Sequence, residues 1–175
     1  MGKRSMNNLD KRADPFLNNL YKKLGGEIVS VHPDNKFDDW DKIVKFPNIT
    51  YKIEEKARIG TYEDVLIEIL EDIKTGDLGW FYQTKADRLI YCLFENKDSL
   101  EPYVVYAFKI EVLKNYYFEN AKELFRTSNL SPKGYGLTLN VFLPLELGQK
   151  IFEASKEEFI LTDKEMDEID KPRGT

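Results

Sequence analysis

The chain has 175 residues, 42% hydrophobic and 33% charged, with a formal net charge of −5. That length is most simply one domain, able to bury roughly 70% of its unfolded surface. It carries no apolar run approaching a membrane span, and its negative charge disfavours a mainly electrostatic nucleic-acid binder. Cys92 alone excludes an internal disulfide and a Cys-rich zinc site, while His32 alone excludes Ser-His-Asp triads, multi-His metal sites and His-based nucleases.

Any catalysis therefore rests on carboxylates, lysines and tyrosines. The N-terminus lacks the apolar core of a signal peptide, and a single cysteine fits a reducing cytoplasm, the expected location. Residues 1–24 carry Lys3, Arg4, Lys11, Arg12, Lys22 and Lys23 against Asp10 and Asp14, a balance of +4, so the remainder stands at −9. A basic arm on an acidic body can touch phosphates; a solvated terminus is the competing reading.

"LDKRADPFLNNLYKKLGG" reads as a helix, with Leu9, Phe16, Leu17, Leu20 and Leu24 near one face and Gly25-Gly26 as its stop. Pro15 is expected to mark where its regular part begins. "EIVSVHP" follows as a short strand or extended link, with His32 beside Pro33 in a turn.

"WDKIVKFPNITYKIEEKARIG" reads as an antiparallel hairpin turning at Pro47-Asn48, with partner numbers summing to 95. One face then receives Val44, Phe46, Ile49, Tyr51 and Ile53. The other places Asp41 opposite Glu54 and Asp39 opposite Lys56. "EDVLIEILEDI" alternates β-branched residues and is expected as a strand beside the hairpin, covered on both sides, with Glu68 among leucines on its second face. A carboxylate there needs a partner.

"KTGDLGW" is a turn and "FYQTKADRL" helical or looped. "LIYCLFE" and "YVVYAFKI" are strands, "EVLKNYYFENAKELF" is a helix, and "GLTLNVFLPLE" is a last strand. "LELGQKIFEASKEEF" begins a helical end. Residues 1–152 form the single domain, and 153–175 a charged tail that frays or docks on a partner. The whole is one α/β sandwich around a mixed sheet.

Asp41, Glu54, Lys56 and Glu68 would thus fall on adjacent strands. Two or three carboxylates within a few ångströms make an oxygen-rich pocket suited to Mg²⁺ or Mn²⁺ rather than zinc. Such an ion binds a phosphate and lowers the pKa of a water. Lys56, two residues after Glu54, points to the same side of the strand, where it can stabilise charge growing on the phosphorus oxygens. The bland reading of Glu54, Glu55 and Lys56 is a charged edge that blocks aggregation.

These residues resemble the PD-(D/E)XK nuclease superfamily, whose pattern is an Asp at the start of one strand and Asp/Glu-x-Lys on the next. "WDKIV" supplies Asp41 and "KIEEK" supplies Glu54-x-Lys56; the likeness runs through "DVLIEIL", "GWFYQTKADRLIYCLF" and "YAFKIEVLKNYY", about residues 9 to 145. It is similar to phage and bacterial members with an "(D/E)EKA" strand, an apolar strand carrying a Glu, then Gly-Trp and a Tyr-rich strand.

The resemblance implies a restriction-endonuclease-like sandwich, a mixed sheet with a central β-meander flanked by helices. It implies a Mg²⁺- or Mn²⁺-dependent nuclease acting on DNA, with RNA not separated from it. Asp41 and Glu54 would hold metal, with Glu68 as accessory acid or third ligand, and Lys56 would serve catalysis. Gln83, Lys85 and Asp87 would support the site or contact DNA. The chain departs from the pattern in lacking a Pro before Asp41 and in carrying charge at Glu55, which leaves Glu54 and Glu55 both open as the metal-facing residue.

Trp80-Phe81-Tyr82 and Tyr116-Tyr117-Phe118 either stack bases or form core and rim. Lys109, Lys114, Lys122 and Arg126 flank the late helix and either meet phosphates or form a solvated face. Cutting both strands would call for a homodimer, although no segment announces an interface. The competing function is a non-enzymatic phage-type regulator or acidic inhibitor on a retired nuclease fold, binding a protein partner through its acidic body and tail.

Overall fold

The computed structural model describes residues 8–31, 40–133, 136–155 and 158–159. His32, Asp39 and residues 160–175 of the tail lie outside them. Helix α1 (Asn8–Lys23) buries Ala13, Leu17, Leu20 and Tyr21 along one stripe. Pro15 lies inside this helix instead of at its start. Leu9 and Ala13 already follow the buried stripe ahead of it, so packing carries the helix through a residue that lacks an N–H. Gly25, at φ 79°, ends it, and the Gly26 N–H returns to the Tyr21 carbonyl at 2.8 Å.

The chain is α/β, built on a mixed seven-stranded sheet and a separate four-stranded one. Strands β1 (Glu27–Val31), β2 (Lys42–Lys45) and β3 (Thr50–Ile59) form an antiparallel meander. The expected register holds: Lys42 faces Ile53, Val44 faces Tyr51 and Lys45 faces Thr50, each pair summing to 95. Strand β4 (Asp64–Asp72) is indeed a strand, but it does not lie beside the hairpin. It pairs with β5 (Asp77–Leu78) and β9 (Gly136–Pro144), and β8 (Asn129–Lys133) completes that second sheet.

The place next to β3 is taken, in parallel, by β6 (Arg88–Phe94). "LIYCLF" is buried at every position, as a central strand must be, whereas β4 alternates buried Val65, Ile67 and Ile69 with half-buried Leu66 and Glu68. Beyond β6 come β7 (Val104–Lys109), β10 (Gln149–Glu153) and β11 (Glu158–Phe159). The expected helical end is thus a strand. Gly148 sits so close to Phe108 that an added Cβ would lie 2.4 Å from its ring, and β10 pairs along the edge of β7, burying Ile151 and Phe152.

Two cores result. Helix α1 covers one face of the large sheet over Val44, Tyr51, Ile53 and Ile90. The other face packs Leu89, Tyr91 and Leu93 against Val65, Ile67, Val141 and Leu143 of the second sheet. The short helix α2 (Trp80–Gln83) and the long helix α3 (Ile110–Arg126) close that second core.

Gly79 precedes Trp80, and its N–H donates to the Ile69 carbonyl at 2.8 Å. A Cβ there would lie 2.2 Å from the Glu68 carbonyl oxygen and 2.5 Å from its carbon, which are backbone atoms. Gly79→Ala must therefore push α2 off β4. We expect a loss of about 1–3 kcal/mol in urea denaturation, with a red-shifted tryptophan emission as Trp80 is exposed. An unchanged melt would show that α2 shifts freely.

Candidate active site

Alternation along β3 divides the "EEK" triplet. Glu55 follows Tyr51 and Ile53 onto the α1 face, and Glu54 and Lys56 share the opposite face. Glu54 is aligned with Leu89 and Lys56 with Tyr91 of β6, and both of these face the core between the sheets. The Glu54 side chain is 3% exposed and its carboxylate accepts a hydrogen bond from the Lys56 ammonium. That ammonium also donates to the Glu55 carbonyl at 3.1 Å and lies 5.2 Å from the centre of the Trp80 ring.

One step beyond the Lys42–Ile53 pair, the Asp41 N–H donates to the Ile53 carbonyl at 2.7 Å. Asp41 Oδ2 accepts the Glu55 N–H at 2.6 Å. Asp41 thereby closes the open end of the hairpin and brings its carboxylate to the Glu54–Glu55 peptide. The structure thus brings Glu54 and Lys56 together and sets Asp41 against the Glu55 N–H, where its charge bears on Glu55 and Tyr21 of the α1 face. Glu68 stands in the second sheet, opposite Asn140 and with its Cγ beside Gly79.

Among the described residues no three His, Cys, Asp or Glu side chains form a metal-holding group. What does converge is a smaller oxygen set, the Glu54 carboxylate and Glu55 carbonyl around the Lys56 ammonium, with Asp41 on the N–H of Glu55. A cation already occupies the point where these oxygens meet. Hard oxygen donors of this number fit Mg²⁺ or Mn²⁺, which take one or two carboxylates and fill the remaining positions with water and phosphate.

The other candidates sit further along. Gln83 is exposed, and its amide donates to the Leu78 carbonyl, tying α2 to β5. Lys85 is exposed on the loop after α2. Asp87 Oδ2 accepts the Lys52 N–H at 2.8 Å, and its own N–H donates to the Lys52 carbonyl at 2.7 Å. Asp87 thus starts the parallel β3–β6 pairing.

Behind the site, on the α1 face, is a network that sequence reasoning missed. Lys42, 1% exposed, donates to both oxygens of Glu55 at 2.9 Å and to Asp14 at 2.6 Å; the Tyr21 hydroxyl donates to Glu55 at 2.7 Å. Burial pushes the Glu55 carboxyl up to about 7, against the pull of Lys42 and the Tyr21 bond. Burial would lower the Lys42 ammonium, but Glu55 and the bonds to Asp14 and Glu55 lift it above its ordinary value. Burial, and after it the charge of Glu55, raises the Tyr21 phenol well above its usual range.

No family model matches this chain, and no curated protein sequence matches it.

Proposed function

We propose that the protein is a metal-dependent phosphodiesterase acting on nucleic acid, on a restriction-endonuclease-like core. The observation that carries this reading is the meeting of Glu54, the Glu55 carbonyl and Lys56 on one face of β3, with Asp41 entering from the start of the neighbouring strand. The topology supports it: a helix and a three-stranded antiparallel meander, with β6, which follows β4, β5 and α2 in the chain, lying parallel to β3.

Asp41, Glu54 and the Glu55 carbonyl would hold Mg²⁺ or Mn²⁺. Bound there, the ion would polarise a scissile phosphate and acidify a water. Lys56, displaced from Glu54 yet still two residues away on the same face, would set its ammonium against the phosphate oxygens as charge grows on them. Trp80 covers the ammonium and keeps bulk water from that side. Glu68, in the other sheet, is given no part in holding the ion.

The test is thermal melting with and without Mn²⁺, beside cleavage of single-stranded, duplex and branched DNA and of RNA. We expect metal to raise the Tm of the wild type and to drive cleavage, and both effects to vanish in Glu54→Ala. A Tm indifferent to metal and no cutting of any substrate would favour the second reading, a partner-binding protein. The observation favouring that alternative is that Lys56 already neutralises Glu54 within the fold.

A further inference from the structure

Beside the last turn of α1 an apolar cavity opens. Tyr21 and Leu24 of the helix wall it, and Ile53, Ile90, Ala107 and Ile151, from four adjacent strands, line it below. It holds about 40 Å³, room for roughly three water-sized groups. Ala107 is central to it: a small side chain on an inner strand, half-buried where Ile90 and Ile151 on either side are buried.

Two half-buried cations stand at this cavity. Arg88 and Lys109 are direct partners in the β6–β7 ladder and, by alternation from Ile90 and Ala107, share the α1 face. Their Cβ atoms are then about 5 Å apart, and like charges so opposed destabilise a sheet. Tyr51 holds the Arg88 guanidinium in place. The guanidinium lies 4.3 Å from the centre of that ring, and donates to the Tyr51 hydroxyl at 3.2 Å and to the Asp87 carbonyl at 3.4 Å. Among the described residues no Asp or Glu lines the cavity. The Asp87 carboxylate takes the Lys52 N–H, and Glu111 stands exposed in the first turn of α3.

We propose that this cavity binds a short-chain aliphatic monocarboxylate, its tail over Ala107 and its carboxylate between Arg88 and Lys109. The volume sets the length at about four to six carbons: roughly three fill the space over Ala107, and the rest reach the cations. A carboxylate bonded by an Arg and a Lys gains charge-assisted hydrogen bonds that a neutral alcohol of the same length does not. It also sits between two charges that otherwise repel. Glu54 and Lys56 lie on the opposite face of β3, so this site does not depend on the nuclease reading.

The test is a titration of the ¹⁵N-labelled full chain with sodium hexanoate, read on its backbone amides by NMR, beside hexanol and inorganic phosphate. Hexanoate is expected to shift the Ile90 and Ala107 amides saturably, with a Kd on the order of 1 mM or tighter. Hexanol is expected to bind about 10-fold more weakly, lacking the charged hydrogen bonds, and phosphate to leave these amides unmoved. Ala107→Leu fills the cavity and is expected to weaken hexanoate binding about 10-fold or more, with its amide dispersion showing that it folds. Arg88→Gln/Lys109→Gln is expected to bind hexanoate no better than hexanol.

No saturable shift with hexanoate overturns the site. So does hexanol binding as tightly, since the cavity then takes any apolar group. Phosphate moving the same amides does too, since the cations then form an anion patch without a pocket. Undiminished binding by a folded Ala107→Leu overturns the placement of the tail and the proposal with it. Should that variant not fold, the wild-type comparison of hexanoate with hexanol decides alone.

Discussion

Lys42→Met is expected to cost about 3–5 kcal/mol of folding free energy at pH 8, measured by urea denaturation. Lys42 is the cation that both oxygens of Glu55 face, and Glu55 sits between β3 and α1 among Tyr51, Ile53 and Tyr21. Removing the ammonium leaves a buried carboxylate that keeps the Tyr21 hydroxyl bond and faces the Asp41 charge, which repels it. Asp14, 35% exposed, finds water instead and adds little to the loss. Lys42→Met/Glu55→Leu should recover much of the stability, because a buried pair replaced by apolar groups of similar size is often neutral. If the double variant is as unstable as the single one, the damage comes from packing and not from an orphaned charge.

The pH dependence follows from the same group. The Glu55 carboxyl titrates near 7 in the fold against 4.5 unfolded, so between those values the folded protein binds more protons than the unfolded chain. Its contribution to stability is complete below about 4.5 and declines as pH rises through about 7, by an amount on the order of 3 kcal/mol. Lys42, raised above its ordinary value, acts in the alkaline range: its contribution is present below the unfolded pKa and lost as pH climbs past the folded one. In Lys42→Met the carboxyl loses its countercharge and rises further. The cost of that substitution should therefore shrink markedly at pH 5, where Glu55 is protonated in the fold. A cost equal at pH 5 and pH 8 would show that Glu55 stays neutral throughout.

The hairpin was legible because three signals agree: the Pro47-Asn48 turn, the alternation on both sides of it, and a register that puts Val44, Phe46, Ile49, Tyr51 and Ile53 on one face. That register also held the buried network in view. It puts Lys42 opposite Ile53 and Glu55 two residues further on, so opposite charges lie diagonally on the apolar face, within reach of each other.

Strand β4 was recognised by its β-branched alternation, but not its sheet, since alternation fixes a strand's faces and not its neighbour. The decisive contrast was with β6, where an unbroken apolar run demands cover on both sides. Strand β8 escaped because Pro132 lies in it; at the outer edge of the second sheet its missing N–H disturbs no ladder. Strand β10 escaped because "IFEASKEEF" carries a helical spacing, which pairing with β7 overrides. Within the site, alternation fixed the common face of Glu54 and Lys56. That Trp80 roofs the lysine was out of reach, because α2 arrives through the other sheet.

Lys56→Ala is expected to separate metal binding from chemistry. In the fold the Lys56 ammonium occupies the meeting point of the Glu54 carboxylate and the Glu55 carbonyl. A divalent ion using those oxygens must displace it, so the lysine competes with the metal when no substrate is present. Titration calorimetry with Mn²⁺ should then show Lys56→Ala binding the ion at least as tightly as the wild type, and Glu54→Ala not binding it. Cleavage should behave oppositely. Without an ammonium to meet charge developing on the phosphate, Lys56→Ala is expected to lose about 10²–10³-fold in single-turnover rate while retaining its metal. A merely structural ion pair predicts another pattern: both substitutions would lower the Tm alike, and neither would alter the response to Mn²⁺. If Lys56→Ala weakens Mn²⁺ binding as much as Glu54→Ala does, the lysine is holding the carboxylate in place, and the catalytic role assigned to it fails.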